Sequence, residues 1–184
     1  MATDGEIRWY SPDPRGVLPL NEVHIPRRLA RVARQGRFRI AIDTAFGDVI
    51  RACAAEDRDP EDAGTWIDEQ IIESYTALHD QGLAHSVEAW SGERLVGGLY
   101  GLSLGATFFG ESMFALEKDA SKLSFVALVR QLGRWGIPLV DCQVYTPHLA
   151  HFGAREWPRR DFLEALRSAL DRPTRLGPWQ FESE

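Results

Sequence analysis

Three consecutive apolar segments separated by tight turns constrain the fold of this chain more than any other feature. Residues His85 to Trp90 alternate in polarity, and the turn Ser91-Gly92-Glu93 joins them to Leu95 to Leu104. Gly105 then turns the chain into Ala106 to Phe109. Connections this short can only join antiparallel neighbours, so the pattern predicts a β-meander. Three glycines of the central segment also predict a close approach of the backbone to a ligand: Gly97, Gly98 and Gly101.

Helices and two further strands are predicted around this meander. Five helices are expected: from after Pro26 to Gln35, from a Thr44 cap to Cys53, from a Thr65 cap to Gln81, from Asp119 or Ser121 to near Gly136, and from Arg159 to Leu170. In the third, Asp68 is in capping-box position. Alternation predicts strands over Phe38 to Ile42 and Pro138 to Val144, and a short extended segment over Ile7 to Tyr10. Residues 56–64 read as a loop. The pattern predicts an α+β protein with a central, mostly antiparallel sheet flanked by helices.

Length and composition limit the class of protein. At 184 residues the chain forms one domain, for which we expect tails at residues 1–6 and 173–184. No apolar stretch approaches 18 residues, and the first residues carry no leader sequence, so neither a membrane span nor secretion is expected. Two cysteines, Cys53 and Cys142, are too few for a disulfide framework or a zinc site. These features favour the cytoplasm.

Charge is segregated along the chain, although the net charge is −6. Six arginines and no acid lie between Arg27 and Arg39, whereas thirteen acids and two arginines lie between Asp43 and Glu93. This segregation is consistent with one basic face for a polyanion. Ordinary solvated helix faces are the alternative that charge alone leaves open.

Three constellations have the residue types that chemistry requires. Asp141 and Gln143 are predicted to share one face of a strand, either as a catalytic pair or as a buried hydrogen-bond network. Glu111 is a lone acid at the end of a strand in an aromatic run, suited to an α-ammonium, a basic side chain or an internal arginine. Trp66 and Tyr75 belong to one helix, where Trp66 is either core or a platform for a nucleobase.

Other catalytic signatures are absent from the sequence. His148 and His151 have no nearby third ligand, so no metal is expected. The chain has no phosphate-binding loop, no Gly-x-Gly-x-x-Gly and no Gly-x-Ser-x-Gly. We therefore expect no cofactor, no nucleoside triphosphate chemistry and no covalent catalysis.

Seven stretches, in order over about residues 7 to 170, resemble the bacterial leucyl/phenylalanyl-tRNA–protein transferases. They are Trp9-Tyr10-Ser11-Pro12-Asp13-Pro14-Arg15, Gly64-Thr65-Trp66-Ile67, Ala84-His85-Ser86-Val87-Glu88-Ala89-Trp90, Leu95-Val96-Gly97-Gly98-Leu99-Tyr100-Gly101, Phe109-Gly110-Glu111-Ser112-Met113-Phe114, Ala120-Ser121-Lys122 and Leu139-Val140-Asp141-Cys142-Gln143. The resemblance implies a GNAT-like fold and transfer of Leu, Phe or sometimes Met from aminoacyl-tRNA to proteins with an amino-terminal Arg or Lys. Such proteins are thereby marked for degradation by the N-end rule. We expect a monomer that uses no membrane.

The resemblance also implies roles for particular residues. Asp141 and Gln143 become the catalytic pair, and Glu111 the acid that faces the incoming basic terminus. Trp66 stacks near the terminal adenosine of the tRNA, with Tyr75 on the same helix. The pocket for the apolar aminoacyl side chain is lined by Leu99, Phe108, Leu128 and Leu132. The tRNA backbone contacts arginines of the first basic segment: Arg27, Arg28, Arg31, Arg34 and Arg37.

The chain departs from the family pattern in two respects. It begins just before its own Trp9-Tyr10-Ser11-Pro12-Asp13-Pro14-Arg15 stretch, where family members carry a small amino-terminal domain with a Phe-Pro-Trp motif near the adenosine. Leu99 and Phe109 also replace residues more usual in the family. Three alternatives therefore stay open: a small-molecule or special peptide acceptor, an acyl-CoA-dependent N-acetyltransferase, and an inactive tRNA- or peptide-binding module.

Overall fold

A computed structural model describes residues 10–55 and 65–182. The strands are β1 (Arg15–Pro19), β2 (Arg39–Ile42), β3 (Ala84–Ser91), β4 (Arg94–Leu104), β5 (Thr107–Ala115), β6 (Leu139–Gln143) and β7 (Arg155–Trp157). The helices are α1 (Arg27–Arg34), α2 (Phe46–Ala54), α3 (Glu69–Asp80), α4 (Ala120–Arg134), α5 (Pro147–Ala150) and α6 (Arg159–Leu170), with a 3-10 turn at Leu20–Glu22. The loop predicted over residues 56–64, the tail predicted over residues 1–6 and all but Tyr10 of the extended segment predicted over Ile7 to Tyr10 lie outside the described residues.

All seven strands form one sheet in the order β2-β3-β4-β5-β6-β1-β7. Every neighbouring pair is antiparallel except β5 and β6, which are parallel and joined through α4. A parallel pair needs such a crossover, because a tight turn can only reverse the chain. The predicted α+β fold, with a mostly antiparallel sheet flanked by helices, is confirmed.

Alternation along β4 builds a core on each face of the sheet. Leu99 belongs to a cluster with residues of α1 and α4, whereas the next residue, Tyr100, belongs to a cluster with α2 and α3. Period-two alternation requires this division. A Cβ at Gly97 would lie 2.5 Å from the Ala120 Cβ, and one at Gly101 would lie 2.1 Å from the Phe109 carbonyl oxygen. These glycines therefore admit protein atoms, and the prediction that they admit a ligand is wrong.

Two predicted helix caps are corrected. Asp68, not Thr65, caps α3, since its carboxylate accepts a hydrogen bond from the Ile71 amide at 2.9 Å. Thr44 does not cap α2; its hydroxyl donates to the buried Glu88 carboxylate at 2.8 Å. Asp68 bonds to an amide three residues further along the chain, and Thr44 bonds to a carboxylate on β3. The local sequence does not reveal which of several possible partners such a side chain takes.

The carboxyl-terminal segment, which was expected to be a tail from residue 173, packs on the core as far as Glu182. Trp179 is buried, stacks on His85 with ring centroids 3.6 Å apart, and donates its backbone N–H to the Asp43 carboxylate at 2.7 Å. The Glu182 amide donates to the Gln131 side chain of α4. Within the described residues, no helix combines the length and apolar character that crossing a bilayer requires.

Candidate active site

The site lies where β5 and β6 stop pairing. Their parallel ladder ends at Phe109 opposite Asp141, yet β5 continues to Ala115 and β6 to Gln143. The two strands therefore separate, and the gap opens into a cavity of about 300 Å³. A ligand is expected in such a crevice because, on the side that faces the gap, backbone groups beyond the last ladder bond have no strand partner.

The cavity is apolar over most of its lining and polar on a few side chains. Its apolar lining comes from β4, β5, β6 and α4 and from the segment after β6: Leu99, Phe108, Met113, Phe125, Leu128, Val140 and Leu149. Glu111, Gln143, Thr146 and His148 supply its side-chain hydrogen-bonding groups, together with Ser112. An apolar volume with a few convergent polar groups is the usual form of a small-molecule site.

Glu111 occupies a β-bulge. Ser112 pairs with Tyr100 and Gly110 with Gly101, so Glu111 is the extra residue on β5. Its carboxyl group forms a hydrogen bond with the Tyr75 hydroxyl of α3, and burial raises the pKa of Glu111 to about 7, against the smaller lowering effects of Tyr75 and Arg15. Burial and the Glu111 charge also raise the Tyr75 pKa. The sequence predicts Glu111 at the end of a strand, but in the structure it lies in the middle of β5.

Asp141 is fully buried and bound on two sides. The Arg15 guanidinium donates to both of its carboxylate oxygens, Nε to Oδ1 at 2.9 Å and Nη2 to Oδ2 at 2.7 Å. Oδ1 also accepts the Gln143 backbone N–H at 2.9 Å. Gln143 has a φ of +55°, which L residues seldom adopt. Asp141 thus belongs to a buried network that fixes the backbone of Gln143.

Strand alternation predicts that Asp141 and Gln143 share one face, but in the structure they do not. Gln143 borders the cavity and Asp141 does not. The left-handed conformation of Gln143 ends the regular alternation of β6.

Cys142 also borders the cavity. Burial, reinforced by the Asp141 charge, raises the pKa of its thiol to about 12, so a thiolate nucleophile is not formed at neutral pH.

The structure gathers most of the sequence-predicted substrate residues around this cavity. Trp66, Leu99, Phe108 and Leu128 line it, and Tyr75 reaches it through Glu111. The prediction that Trp66 and Tyr75 share a helix is wrong: Tyr75 lies on α3, but Trp66 precedes it, because the helix begins only after the Asp68 cap. Leu132, one helical turn beyond Leu128, is fully buried in the core and does not line the cavity, so that expectation is corrected. Leu132 packs instead in the core cluster that α4 shares with the sheet.

Sequence reasoning missed several residues of the site. Met113 and Ser112 stand inside the Phe109-Gly110-Glu111-Ser112-Met113-Phe114 stretch and were available from that motif. Arg15 gave no local signal, because its partner Asp141 is 126 residues away. Thr146, His148 and Leu149 follow β6 at the N-cap and in the short helix α5, whose position depends on the tertiary structure.

The predicted tRNA-binding arginines differ in their surroundings. Arg28 forms a two-pronged ion pair with Asp119 at 2.6 and 2.8 Å, and Arg37, beyond the end of α1, pairs with Glu117 at 2.9 Å. Arg27, Arg31 and Arg34 are exposed on α1. No acid partner of these three is found within residues 10–55 and 65–182.

Over the same described residues, no group of three His, Cys, Asp or Glu side chains is placed to hold a metal ion.

Fold and cavity together define an α+β protein with a largely apolar cavity between two separating strands, beside an acid whose pKa is near neutral. Comparison with known proteins gives the family. Residues 17–167 match the family described as leucyl/phenylalanyl-tRNA protein transferase. The chain belongs to this family.

Individual relatives agree over nearly the whole chain. A leucyl/phenylalanyl-tRNA–protein transferase of Anaeromyxobacter sp. (strain Fw109-5) is 55% identical over 180 residues, which are 98% of this chain and 76% of that protein. Those of Nitratidesulfovibrio vulgaris (strain DP4) and Myxococcus xanthus (strain DK1622) are each 53% identical, covering 97% and 94% of this chain and 76% and 74% of theirs. The solved structure of L-PGS from Bacillus licheniformis matches with a TM-score of 0.47 at 11% identity, over 78% of this chain and 51% of that one.

Proposed function

We propose that the cavity between β5 and β6 is where this aminoacyltransferase binds the aminoacyl end of a charged tRNA and joins it to an acceptor amine. The observation that carries the proposal is an apolar cavity containing Glu111 and Gln143 in a chain of this family. As a member of the family, the chain is an aminoacyl-tRNA-dependent transferase acting on protein amino termini. The comparisons do not favour the N-acetyltransferase, small-molecule-acceptor or inactive-module alternatives.

Several finer assignments belong to this proposal. The parallel β5-α4-β6 crossover, with strands that separate beyond Phe109 and Asp141, supports a GNAT-type sheet. All seven strands of the described residues lie in one sheet, which supports a single domain, and that this domain acts as a monomer stays a prediction. A charged tRNA as donor supports action in the cytoplasm, on proteins that enter N-end rule degradation.

Selection of the donor is assigned to the apolar lining. Leu99, Phe108 and Leu128 surround space suited to a branched aliphatic or aromatic side chain and offer a charged one no partner. One methylene changes binding in such a pocket by only about 1–3 kcal/mol, so Leu, Phe and Met are all expected to be accepted.

The adenosine is assigned to Trp66. This indole is 45% exposed although it borders the cavity, so part of its surface is available to a ligand. Stacking of a base on an aromatic ring contributes about 1–3 kcal/mol.

The transfer itself requires alignment more than activation. The ester is already reactive, and an α-amino group with a pKa of about 7.7–8.0 loses its proton at little cost near neutrality. The amine nitrogen forms a bond to the ester carbonyl carbon, the carbon–oxygen ester bond breaks, and the amine proton passes to the departing ribose oxygen, directly or through the neighbouring ribose hydroxyl. Gln143 orients the amine, since its side-chain carbonyl accepts an N–H. Asp141 is a positioning residue here, because it is buried beneath Gln143 and held by Arg15.

Glu111 is assigned to the basic side chain of the acceptor terminus. The α-amine of any acceptor reaches Gln143, but an arginine or lysine side chain adds a charge-assisted hydrogen bond to the Glu111 carboxylate, worth about 1.5–3 kcal/mol. This contact exists only when the carboxyl group is ionised. Because burial raises the Glu111 pKa to about 7, ionisation is completed only as the pH rises above 7.

The test compares kcat/KM for peptides that begin with Arg and with Ala. In the wild-type protein the Arg-over-Ala ratio should rise about tenfold between pH 6 and pH 8, because the α-amino groups of both peptides titrate alike and cancel from the ratio. Glu111→Gln should lower the ratio at pH 8 about tenfold and abolish its pH dependence.

A matched control is available on the same side of the sheet. Glu73 is exposed on α3 outside the cavity, so Glu73→Gln removes the same charge without touching the site. This variant should keep the wild-type ratio at both pH values. An Arg-over-Ala ratio that Glu111→Gln leaves unchanged would contradict the assignment of Glu111.

A further inference from the structure

A second cavity adjoins the first and shares a wall with it. It has a volume of about 260 Å³ and lies between the start of α1, the start of α4 and α5. His148 lines both cavities. The second cavity thus connects the proposed aminoacyl site with the helix that carries the exposed arginines.

Its charge comes from one lysine. Arg28 also borders the cavity, but the Asp119 carboxylate occupies its guanidinium. The Lys122 ammonium forms no ion pair in the parts of the chain that the structure describes. A half-buried cation that has no ion pair among the described residues favours an anionic ligand.

His148 supplies an unused hydrogen-bonding atom. Its Nε2 is buried and has no hydrogen-bond partner in the structure. Burial, then the charges of Lys122 and His151, lower its pKa, so the ring is neutral at neutral pH. A buried ring nitrogen without a partner costs free energy that a bound ligand would recover.

Apart from His151, the remaining lining is apolar. Leu29, Pro147 and Phe152 contribute to it, and the Phe152 ring packs edge-on against His148 with centroids 5.8 Å apart. Such walls suit the face of a nucleobase, and Lys122 suits the phosphate attached to it. An acceptor with a basic terminus is the wrong ligand here, because Lys122 would repel it.

We propose that this second cavity binds the nucleotide next to the terminal adenosine, on the single-stranded 3′ end of the charged tRNA, with its phosphate on Lys122 and its base on the apolar walls. The assignment rests on the proposed function of the first cavity. With this site occupied, the single-stranded 3′ end of the tRNA runs continuously from α1 past His148 to the aminoacyl group.

The test compares two synthetic donors, phenylalanyl-adenosine and the phenylalanyl ester of cytidylyl-cytidylyl-adenosine, with one Arg-terminated peptide as acceptor. Only the second donor has phosphates. Lys122→Gln should lower its kcat/KM about tenfold, and leave that of phenylalanyl-adenosine within about twofold of wild type. With whole charged tRNA, the slope of log affinity against log salt should become shallower by about 0.7, the value for one single-stranded phosphate contact.

Lys118 provides the control, since it and Lys122 are the two lysines of the sequence and Lys118 is exposed outside both cavities. Lys118→Gln should match the wild-type protein with both donors. Equal losses with both donors in Lys122→Gln, or no loss with either, would overturn the assignment. A wild-type protein that used neither donor would overturn the proposed function and this assignment together, whereas failure of the assignment alone leaves wild-type transfer intact.

Discussion

Gln143 shows at the scale of one residue how the fold stabilises an unfavourable conformation at the site. Its φ of +55° is a backbone state that costs a residue with a side chain of order 1–3 kcal/mol, and the surroundings must compensate for it. Here the compensation is the bond from its N–H to Asp141, and Arg15 in turn holds Asp141. The chain Arg15-Asp141-Gln143 therefore positions one amide side chain at the cavity.

Asp141→Asn tests this chain of contacts. An asparagine cannot accept hydrogen bonds on both terminal atoms, so Arg15 loses one of its two bonds and the Gln143 backbone is less firmly held. We expect kcat to fall at least about tenfold while the Kd for charged tRNA stays within about twofold, because misplacement of an orienting group affects alignment more than binding. Single-turnover transfer and filter binding measure the two quantities.

The control for this prediction is Asp161→Asn on α6. Asp161 forms an exposed ion pair with Arg160 and does not line the cavity, and exposed pairs contribute little. This variant should resemble the wild type in both measurements. Equal losses of turnover and tRNA affinity in Asp141→Asn would instead indicate that Asp141 contributes to binding.

The elements that the sequence predicted are those whose own periodicity determines them. The meander from β3 to β5 and helices such as α4 carry repeats of 2 and 3.6 residues, which neighbouring structure reinforces. β1 and β7 were missed because each is short and becomes a strand only by pairing across the chain, β1 with β6 and β7 with β1. Non-local pairing of this kind leaves no local pattern.

The same distinction divides the site. Glu111 and Gln143 were found because a polar residue in an apolar run needs a reason to be there. The β-bulge at Glu111 could not be predicted, because it exists only through the register in which β4 pairs with β5. Arg15 was quoted only as part of a motif, and its ion pair with Asp141 depends on the complete sheet.

For α1, the structure ranks the arginines in a way that sequence alone could not. Arg31 is exposed and has no acid partner within the described residues, whereas Arg37 is paired with Glu117. A phosphate at Arg37 would also meet the Glu117 charge. We expect Arg31→Gln to weaken binding of charged tRNA about threefold to tenfold and to reduce the salt slope by about 0.9, the value for one duplex phosphate contact.

Arg37→Gln removes the same charge and is the comparison. Because Arg37 already has a partner, its substitution should weaken binding less than twofold and leave the salt slope unchanged within error. Affinity measured at several salt concentrations separates the two variants. Equal slopes for both would show that net charge, rather than the unpaired arginines of α1, governs tRNA binding.

At the scale of the whole molecule, the carboxyl-terminal segment ties the sheet to α4. Trp179 stacks on His85 of β3 and packs edge-on against Trp135 at the end of α4, with ring centroids 4.7 Å apart. The Trp135 indole N–H donates to the Glu182 carboxylate at 2.7 Å. These contacts close the core beneath the face on which α4 lines the cavity, so the segment is part of the fold.

Trp179→Ala is therefore expected to lower the free energy of unfolding by about 3–5 kcal/mol, the cost of truncating a buried aromatic residue. The loss has two parts: the cavity left between His85 and Trp135, and water reaching the Asp43 carboxylate that the Trp179 backbone N–H now covers. Urea unfolding monitored by circular dichroism measures the change. Leu176→Ala, in the same segment but 63% exposed, should change stability by less than about 0.5 kcal/mol. If both variants unfolded like the wild type, the segment from residue 173 would be a tail after all, and the core would have to be complete without it.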